Sequence, residues 1–436
     1  MTDIPTLTIH FNSLDDSGNV TLELRFPNYE TQVACSITLP FELEQVQLVL
    51  RALSARQYPD YPSNDRLFKP KEDQTQLITG LRKLNLWDDA VGVSGAVVKD
   101  AHIRVGRLLG SALLSHSVVK DILNILYEAT TKVGEGEIIL NFASEAKALA
   151  ALPWEVAYDG SQPILLKKGV TLNCTRMISI DHSQPPYQPA ENTLRVLTIA
   201  PRVGMDATGR AFEQLTHSRM HEELGILPMV KIESLPQATM DALYKRLEKG
   251  PPVHILEYFG HGIMNEGGAL LLESANGGIH AVPSDQLANL PNLPPLVVLH
   301  ACQSAQVDVH EPLATVAIAL SNSGVRAVVA MQLMVRMEAI ANLVAPTFYR
   351  KLASSKSVQY AVTAVRRALY TVEQDKVSWF VPTLYLRQTQ PLLLLEQPTF
   401  YPPNPFLGDG PITSPTQFLG REKIVKLLIE RLNKLN

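Results

Sequence analysis

The sequence predicts an α/β protein: a mostly parallel sheet with helices on both faces, preceded by a small N-terminal domain of antiparallel strands and a helix. The main observation is that short apolar segments alternate with amphipathic helical segments between residues 95 and 390. This alternation is typical of parallel strands joined by crossover helices. Before residue 60, in contrast, apolar and polar residues alternate one by one, as in half-buried strands. The strongest predicted strands of the main sheet are 138–142, 196–200, 253–259, 296–301 and 325–330.

The N-terminal segment has the pattern of a β-hairpin. Thr6–Phe11 and Val20–Phe26 alternate with strand periodicity, and Asp15–Asn19 between them is rich in turn residues. Val33–Leu39 can add a third strand, and Leu43–Leu53 has helical periodicity. We therefore expect a small antiparallel sheet with one helix.

The chain divides into five predicted segments. Prolines concentrate after residue 390, which is typical of an extended linker. Arg421–Leu435 then has an amphipathic helical pattern with nothing obvious to pack on, so we expect a further domain to follow it. The predicted segments are a small N-terminal β-sheet domain (1–60), a linker (61–94), the main α/β domain (95–390), a proline-rich linker (391–417) and the start of a C-terminal module (418–436).

Composition excludes several classes of protein. Lys and Arg total 39 and Asp and Glu total 43, so a formal charge of −4 argues against a nucleic-acid-binding protein, which needs a basic face. Three cysteines cannot form a disulfide scaffold and fit a reducing compartment. Met1–Phe11 lacks the pattern of a secretory signal, and the apolar stretch Leu313–Met334 is interrupted by polar residues. We expect a cytoplasmic protein without a membrane contact.

The first candidate for chemistry is His261, in the segment Phe259-Gly260-His261-Gly262. It directly follows a predicted buried strand, and ligands of open α/β sheets bind at the carboxyl ends of the strands. The flanking glycines allow a sharp turn and close approach to a substrate. A histidine that merely ends a strand is the plainer interpretation of this segment alone.

The second candidate is Cys302, in His300-Ala301-Cys302-Gln303-Ser304, which also directly follows an apolar strand. A thiolate there could be a nucleophile, but an ordinary pKa near ~8.5 requires a base or a favourable field to ionise it. If the two strands are neighbours, His261 and Cys302 emerge at one edge, about 5–10 Å apart. The imidazole would then take the thiol proton and protonate the leaving amine, and the N–H groups of Gly262 and Cys302 would form the oxyanion hole.

Other readings of the reactive residues are weaker. Cys35 and Cys174 lie in likely strands without glycine neighbours and are expected to be structural. His217 and His221 have a zinc-like i, i+4 spacing, but the glutamate of His-Glu-x-x-His and a third ligand are missing. No phosphate-binding loop and no Gly-x-Ser-x-Gly elbow is present. We therefore expect no metal and no cofactor.

Several motifs together resemble the CHAT family, caspase-like cysteine peptidases of clan CD. They are Leu152–Asp159 (Leu-Pro-Trp-Glu-Val-Ala-Tyr-Asp), the strand with His-Gly at 253–262, the strand with Ala-Cys at 296–304, and the segments 194–200, 324–330 and 348–352. The resemblance covers about residues 95–390. It implies a caspase-type fold and peptide-bond hydrolysis with His261 as general base and acid and Cys302 as nucleophile, and it implies that Gly262 lines the oxyanion site.

The resemblance also bears on specificity and architecture. Basic-specific relatives carry an acid two residues before the nucleophile, where this chain has His300, so specificity for Arg or Lys is less expected. His300 and Glu257 are the candidates for a substrate pocket. Ala305 stands where relatives often have glycine. Trp154 and Glu155 are expected to be architectural.

Phe418–Glu422 resembles the opening of a STAND-type NTPase, such as the regulators of bacterial defence systems. This resemblance implies a peptidase that is controlled by an NTPase module in cis, that oligomerises on activation, and that acts in antiphage defence or programmed cell death. The alternative is a caspase-fold scaffold without turnover that acts through protein contacts. A metallohydrolase is a distant third hypothesis.

Overall fold

A computed structural model gives the fold of the chain. It describes residues 4–26, 31–42, 45–57, 74–91, 95–177, 187–188, 193–203, 207–225, 227–263, 268–301, 316–333, 335–373, 377–387 and 391–395. Met1–Leu395 forms one compact unit, and the second unit, Glu396–Asn436, lies outside the described residues. The predicted linker at 391–417 and the predicted helix at 421–435 therefore fall largely or wholly outside them.

Sixteen strands are described, and they are listed here in chain order. They are β1 (Thr6–Leu14), β2 (Asn19–Phe26), β3 (Thr31–Thr38), β4 (Trp87–Asp88), β5 (Ala96–Val97), β6 (Gly136–Phe142), β7 (Leu172–Met177), β8 (Leu194–Ile199), β9 (Val230–Ser234), β10 (Ile255–Gly260), β11 (Gly262–Ile263), β12 (Ala269–Glu273), β13 (Ile279–Pro283), β14 (Leu296–Ala301), β15 (Ala327–Met331) and β16 (Pro382–Leu386).

The helices of the described residues are α1 (Val46–Ala55), α2 (Gln74–Lys83), α3 (Ala101–Leu113), α4 (Ser117–Val133), α5 (Ala207–Leu224), α6 (Met240–Lys249), α7 (Ser284–Ala288), α8 (Val316–Asn322), α9 (Met337–Ala339), α10 (Ala345–Ala353) and α11 (Val358–Val372). A π-helical turn, Ile340–Val344, joins α9 to α10, and short 3₁₀ turns cover Ser144–Ala151, Trp154–Val156 and Ile164–Leu166.

The main sheet has eleven strands in the order β3-β2-β1-β6-β7-β16-β15-β14-β10-β8-β9. Neighbours pair in parallel except at β3–β2, β2–β1 and β15–β16, which are antiparallel. The strands at its centre, such as β10 and β15, are buried at every residue because helices flank the sheet. The predicted fold class, a mostly parallel α/β sheet, is confirmed.

The predicted N-terminal antiparallel strands form, and they continue the main sheet. β1 pairs with β2 on one side and, in parallel, with β6 on the other, from Thr6 opposite Glu137 to Phe11 opposite Phe142. Phe11 is fully buried and stacks on Phe142 with ring centroids 4.8 Å apart. The antiparallel sheet expected in residues 1–60 is therefore hydrogen-bonded to the strands that follow it.

The strand order reverses between β8 and β10. The chain passes from β8 outward through α5 to β9, and then returns through α6 to β10 on the other side of β8. Because parallel crossovers are right-handed, these two connections place α5 and α6 on opposite faces of the sheet. Such a reversal opens a crevice at the carboxyl ends of the two central strands, which is where open α/β sheets bind ligands.

Seven of the described strands were missed from the sequence for three physical reasons. β4, β5 and β11 are only two residues long, too short to show a periodic pattern. β9 and β13 are largely exposed, so they lack the apolar run that identified the central strands. β12 and β16 are apolar, but each is five residues long and lies beside glycines or prolines that suggested loops. The region 57–75 was expected to be a loop, and α2 begins at Gln74 within its last residues.

A membrane span is not found among the helices of the described residues, since none is both long enough and apolar enough. The apolar stretch Leu313–Met334 contains α8 and β15, as its interruption by polar residues predicted.

Candidate active site

His261 directly follows the carboxyl end of β10, which lies between β8 and β14 in the main sheet. Its side chain is half-buried. The Tyr258 hydroxyl lies within hydrogen-bond distance of two backbone carbonyls, that of His261 at 3.0 Å and that of Leu271 at 2.8 Å. A Cβ atom at Gly260 would lie 2.5 Å from this hydroxyl, so the glycine permits the close approach. The backbone around His261 is therefore held by a buried tyrosine.

A small antiparallel sheet, β11-β12-β13, carries the residues after His261. The Leu271 N–H donates to the His261 carbonyl at 3.0 Å, and Gly262 lies opposite Leu270 in the next pair. In an antiparallel ladder, hydrogen-bonded and non-hydrogen-bonded pairs alternate, so the Gly262 N–H is directed away from β12. This orientation is compatible with an oxyanion donor.

β14 lies next to β10 in parallel, with Phe259 opposite His300 and Gly260 opposite Ala301. In the sequence, His261 follows Gly260 and Cys302 follows Ala301. Cys302, like all of residues 302–315, lies outside the described residues. The structure thus describes both strand ends, the position of His261 and that of Gly262, and the His261–Cys302 dyad remains a prediction.

His300 and Glu257, the two residues predicted for a substrate pocket, are in direct contact. The Nε2 atom of His300 lies 2.9 Å from Oε1 of Glu257, and both side chains are almost fully buried. Nδ1 of His300 has no hydrogen-bond partner among the described residues. The pair lies on the face of β10 and β14 that also carries Phe259, because alternate strand residues share a face.

Further ionisable groups surround Glu257. Tyr349 on α10 is fully buried, and burial together with the nearby Glu257 carboxylate raises the pKa of its hydroxyl well above its usual value. Burial, with a smaller contribution from Glu257, also raises the pKa of Glu213 on α5. His300 and Tyr349 line a small, mostly apolar cavity of about 10 Å³. Among the described residues that line this cavity, only His300 and Tyr349 carry polar side chains.

A larger cavity of about 270 Å³ lies at the carboxyl ends of β8 and β9. Its charged lining residues are Arg202, Arg210, Glu213 and Glu273, and the Glu273 carboxylate accepts a hydrogen bond from the backbone N–H of Arg202 at 2.9 Å. The cavity lies on the β8 side of β10, whereas β14 lies on the other side. None of the described residues that line it belongs to β10, and the sequence patterns had not identified this cavity.

His217 and His221 are neighbours on α5, with ring centroids 4.7 Å apart. Nε2 of His217 lies 3.0 Å from the Ser234 hydroxyl, and burial and His221 lower the pKa of His217. Within the described part of the chain, no group of three or more His, Cys, Asp or Glu side chains is placed to hold a metal ion.

Two of the three cysteines are buried free thiols in strands, as predicted for structural residues. Cys35 lies in β3 and Cys174 in β7. Burial raises the pKa of both thiols, that of Cys174 to about 12. Neither thiol is suited to act as a nucleophile near neutral pH.

Trp154 and Glu155 are buried, as expected for architectural residues. The Glu155 carboxylate accepts hydrogen bonds from Arg176 Nε at 2.9 Å and from Arg176 Nη2 at 2.6 Å. Burial alone would raise the pKa of Glu155, but Arg176 and, more weakly, Arg366 hold it below its usual value. The sequence marked Glu155 through its motif, but no local pattern identified Arg176, because the ion pair joins distant segments.

Comparison with known proteins agrees with this architecture. A family profile described as the CHAT domain matches residues 104–404. The chain also matches chains in two crystal structures of the Saccharomyces cerevisiae separase–securin complex, at 2.6 and 3.0 Å resolution, with TM-scores of 0.49 and 0.50 and 12% sequence identity in each case. Each match covers 88% of this chain and 30% of the other chain, so this chain spans less than a third of the length of the chains it matches. Comparison with curated protein sequences gives no match.

The separase likeness concerns the fold alone, because the sequence identity is low. It agrees with the α/β fold described above, a mostly parallel sheet flanked by helices. The family match covers most of the chain, including His261, His300 and Cys302. The chain therefore belongs to the CHAT domain family and has the caspase-like fold of that family.

Proposed function

We propose that this chain is a cysteine endopeptidase in which His261 and Cys302 act as a dyad. The observation that carries the proposal is the parallel pairing of β10 and β14, with Gly260 opposite Ala301. The residues that follow these two in the chain are the imidazole and the thiol. The CHAT family match supports the same reaction class.

In the proposed reaction, His261 takes the proton of the Cys302 thiol, and the thiolate attacks the carbonyl carbon of the peptide bond. The carbon–nitrogen bond breaks, the leaving amine takes the proton from the imidazolium, and a thioester remains on Cys302. Water then attacks the thioester carbonyl while His261 takes a proton from it. The carbon–sulfur bond breaks, the new carboxylic acid leaves, and the His261 imidazolium returns its proton to the Cys302 sulfur.

The negative oxygen of the tetrahedral intermediate needs nearby donors. Gly262 is the proposed first donor, and its N–H is directed away from β12. The backbone N–H of Cys302 is the proposed second donor.

The substrate is proposed to lie across the carboxyl ends of β8, β10 and β14. On the β8 side, the 270 Å³ cavity offers room and charged groups to a peptide. On the β14 side, His300 with Glu257 is proposed to contact the side chain that precedes the cut bond. The cavity lies at the carboxyl ends of its strands, the edge at which open α/β sheets bind ligands, and the His300–Glu257 pair lies on the two strands that end there.

Control by an attached NTPase module, with oligomerisation on activation, is part of the proposal, as is a role in antiphage defence or programmed cell death in the cytoplasm. Its support is the resemblance of Phe418–Glu422 to the opening of a STAND-type NTPase, a segment outside the described residues. In bacteria that express the chain and are challenged with phage, survival should depend on Cys302. Equal survival with Cys302→Ala would remove the defence role.

The test of the dyad combines a thiol-reactive peptide probe with a cleavage assay. We expect the probe to label Cys302 in the parent chain, and His261→Ala to abolish both labelling and cleavage. Cys174→Ala and His280→Ala are matched controls, since one removes another thiol and the other removes a histidine of β13. In cells, new protein N-termini should appear with the parent and be absent with Cys302→Ala.

The scaffold hypothesis makes the opposite predictions. A caspase-fold scaffold would show no labelling of Cys302 that depends on His261, and Cys302→Ala would behave like the parent in every assay. Either result would contradict the proposed peptidase. Cleavage that persists in His261→Ala would instead remove the histidine from the reaction.

A further inference from the structure

A buried polar network connects the Trp-Glu motif to the carboxyl edge of the main sheet. Glu155 and Arg176 form its centre, and their side chains are essentially inaccessible to solvent. The remaining donors of Arg176 are used as well: Nη1 donates to the Ala150 carbonyl at 2.5 Å and Nη2 to the Leu152 carbonyl at 2.9 Å. The guanidinium thereby fixes the turn that precedes Glu155 as well as Glu155 itself.

Gln332 is the third member of the network. Its side-chain Oε1 accepts from Arg176 Nη2 at 3.3 Å, and its Nε2 lies 3.4 Å from Glu155 Oε2. The same Nε2 donates to the Phe380 carbonyl at 2.8 Å, and the backbone N–H of Gln332 donates to the Val381 carbonyl. Every polar group of the side chain is thus engaged, and the residue is 3% exposed.

Gln332 brings the network close to the candidate site, because it follows the strand that pairs with β14. Gln332 is the first residue after β15, and β15 pairs with β14 up to Ala330 opposite Leu299. When this register is continued by two residues past the last pair, Gln332 is level with Ala301, the residue that precedes Cys302. The network therefore anchors the loop after β15 at the edge where the proposed dyad emerges.

Stability alone is a weak reason for such an arrangement. Buried ion pairs are often no more stabilising than apolar residues of the same volume, since both charges must leave water. Hydrogen bonds are directional, so they fix the relative positions of the segments that they join. Here they join residues 155, 176, 332 and 380, which are far apart in sequence. Arg366 reinforces the same region, with its guanidinium 4.0 Å from Glu155 and bonded to the carbonyls of Pro382 and Cys174.

We propose that Gln332, held by the Glu155–Arg176 ion pair, is a positioning residue that sets the loop after β15 beside the carboxyl end of β14, which the proposed nucleophile follows in the chain. The inference rests on the proposed peptidase function and adds to it the role of a network distant from the dyad. Loss of the Gln332 contacts would let the loop shift, and misplacement by about 1 Å can cost a factor of about 100 in rate.

The experiment compares Gln332→Met with Gln359→Met in the full 436-residue chain. Gln359 on α11 is as buried as Gln332, at 2% exposure, and accepts a backbone hydrogen bond from Leu392 at 3.1 Å. Both substitutions remove a buried amide and keep the side-chain length. Active sites are counted by titration with the thiol-reactive peptide probe, so that a loss of folded protein does not count as a loss of rate.

For Gln332→Met, we expect kcat per titrated site to fall by about tenfold to a hundredfold, with a smaller change in KM. For Gln359→Met, we expect thermal stability to fall while kcat per titrated site stays at the parent value. Gln332→Asn, which keeps the amide on a shorter side chain, should give an intermediate kcat and serves if Gln332→Met does not fold.

The outcomes separate the two proposals. A parent chain that cleaves peptides, with Gln332 variants equal to it per titrated site, overturns the positioning role and leaves the peptidase standing. An equal fall of kcat in both Met variants also overturns it, because a structural loss then explains the effect. A parent chain with no cleavage and no labelling of Cys302 removes the proposed function, and the positioning role with it.

Discussion

The hydroxyl group of Tyr258, on β10, lies 3.0 Å from the backbone carbonyl oxygen of His261, three residues further along the chain. The same hydroxyl lies 2.8 Å from the Leu271 carbonyl, so it bridges β10 and β12. A phenol that is buried in this way keeps its proton, because burial raises its pKa. The backbone of the proposed base, His261, is therefore held by the neutral hydroxyl of Tyr258.

Removal of this hydroxyl should slow the reaction. We expect Tyr258→Phe to reduce kcat severalfold and to cost about 1 kcal/mol of unfolding free energy, the usual value of one hydrogen bond. Tyr127→Phe is the control, since the buried Tyr127 hydroxyl donates to the Ile164 carbonyl at 3.1 Å, away from β10. It should lose similar stability with kcat unchanged. Parent-like turnover in Tyr258→Phe would show that the hydroxyl does not support His261.

Gly260 should not tolerate a side chain. The Cβ atom of Gly260→Ala would lie 2.5 Å from the Tyr258 hydroxyl and 2.7 Å from its ring, so either the buried Tyr258 side chain or the backbone before His261 must move. We expect cleavage to fall by a factor of about 10 to 100. Gly278→Ala is the control, because its Cβ would meet only the Ser274 hydroxyl, at 3.2 Å. Equal cleavage by both variants would contradict the close packing at Gly260.

His300 should influence which bond is cut. His300→Gln replaces an imidazole that is bonded to Glu257 by an amide with a different placement of donors. We expect the preferred residue before the cut bond to change while cleavage persists, as measured with a peptide library. His280→Gln on β13 is the control and should keep the parent preference. An unchanged preference in His300→Gln would exclude His300 from the substrate pocket.

Glu137 on β6 should make stability depend on pH. Burial raises its pKa to about 7 from 4.5, although Thr175 donates a hydrogen bond to it. Because the native state holds this proton more tightly than the unfolded state, the contribution of Glu137 to stability is lost as pH rises from about 4.5 to about 7. Denaturant unfolding at pH 5 and pH 8 measures the effect.

For Glu137→Gln, we expect near-parental stability at pH 5 and a gain over the parent of up to roughly 3 kcal/mol at pH 8. The control is the exposed residue Glu128. Glu128→Gln should be as stable as the parent at both pH values. A pH dependence in Glu137→Gln equal to that of the parent would show that another group is responsible.

The N-terminal strands should unfold together with the main sheet. Phe11 is fully buried and lies 4.8 Å from the rings of both Phe142 and Trp154. We expect Phe11→Ala to cost about 3–5 kcal/mol and to shift one cooperative thermal transition. Ile125→Ala, at a site that is 39% exposed, should have little effect. A separate early transition that alone responds to Phe11→Ala would mean that residues 1–60 fold independently.

Much of the fold could be predicted because its central strands are buried on both faces. β10 and β14 are mostly apolar in sequence, and the glycines and prolines around them mark their ends. The predicted strand ends identified His261 and Cys302 as the residues that directly follow the two strands in the chain. The exposed β9 carried no such pattern, because its side chains face solvent.

The network around Glu155 shows the opposite case. The motif indicated that Glu155 was architectural, but its partners Arg176 and Gln332 come from β7 and from the end of β15. No short window of sequence contains all three residues. A contact of this kind depends on strand order, which periodicity does not encode.

The sequence by itself determined the α/β class, the two strand ends that carry the candidate residues and the membership in a peptidase-like family, because each depends on local hydrophobic pattern or on a short motif. The tertiary structure alone decided that β1 joins the main sheet, that a cavity lies at the carboxyl ends of β8 and β9, and that Glu257 contacts His300. These features arise from hydrogen bonds and packing between segments distant in the chain. The free energy of these contacts depends on the assembled sheet, because each contact forms only when the distant strands lie side by side.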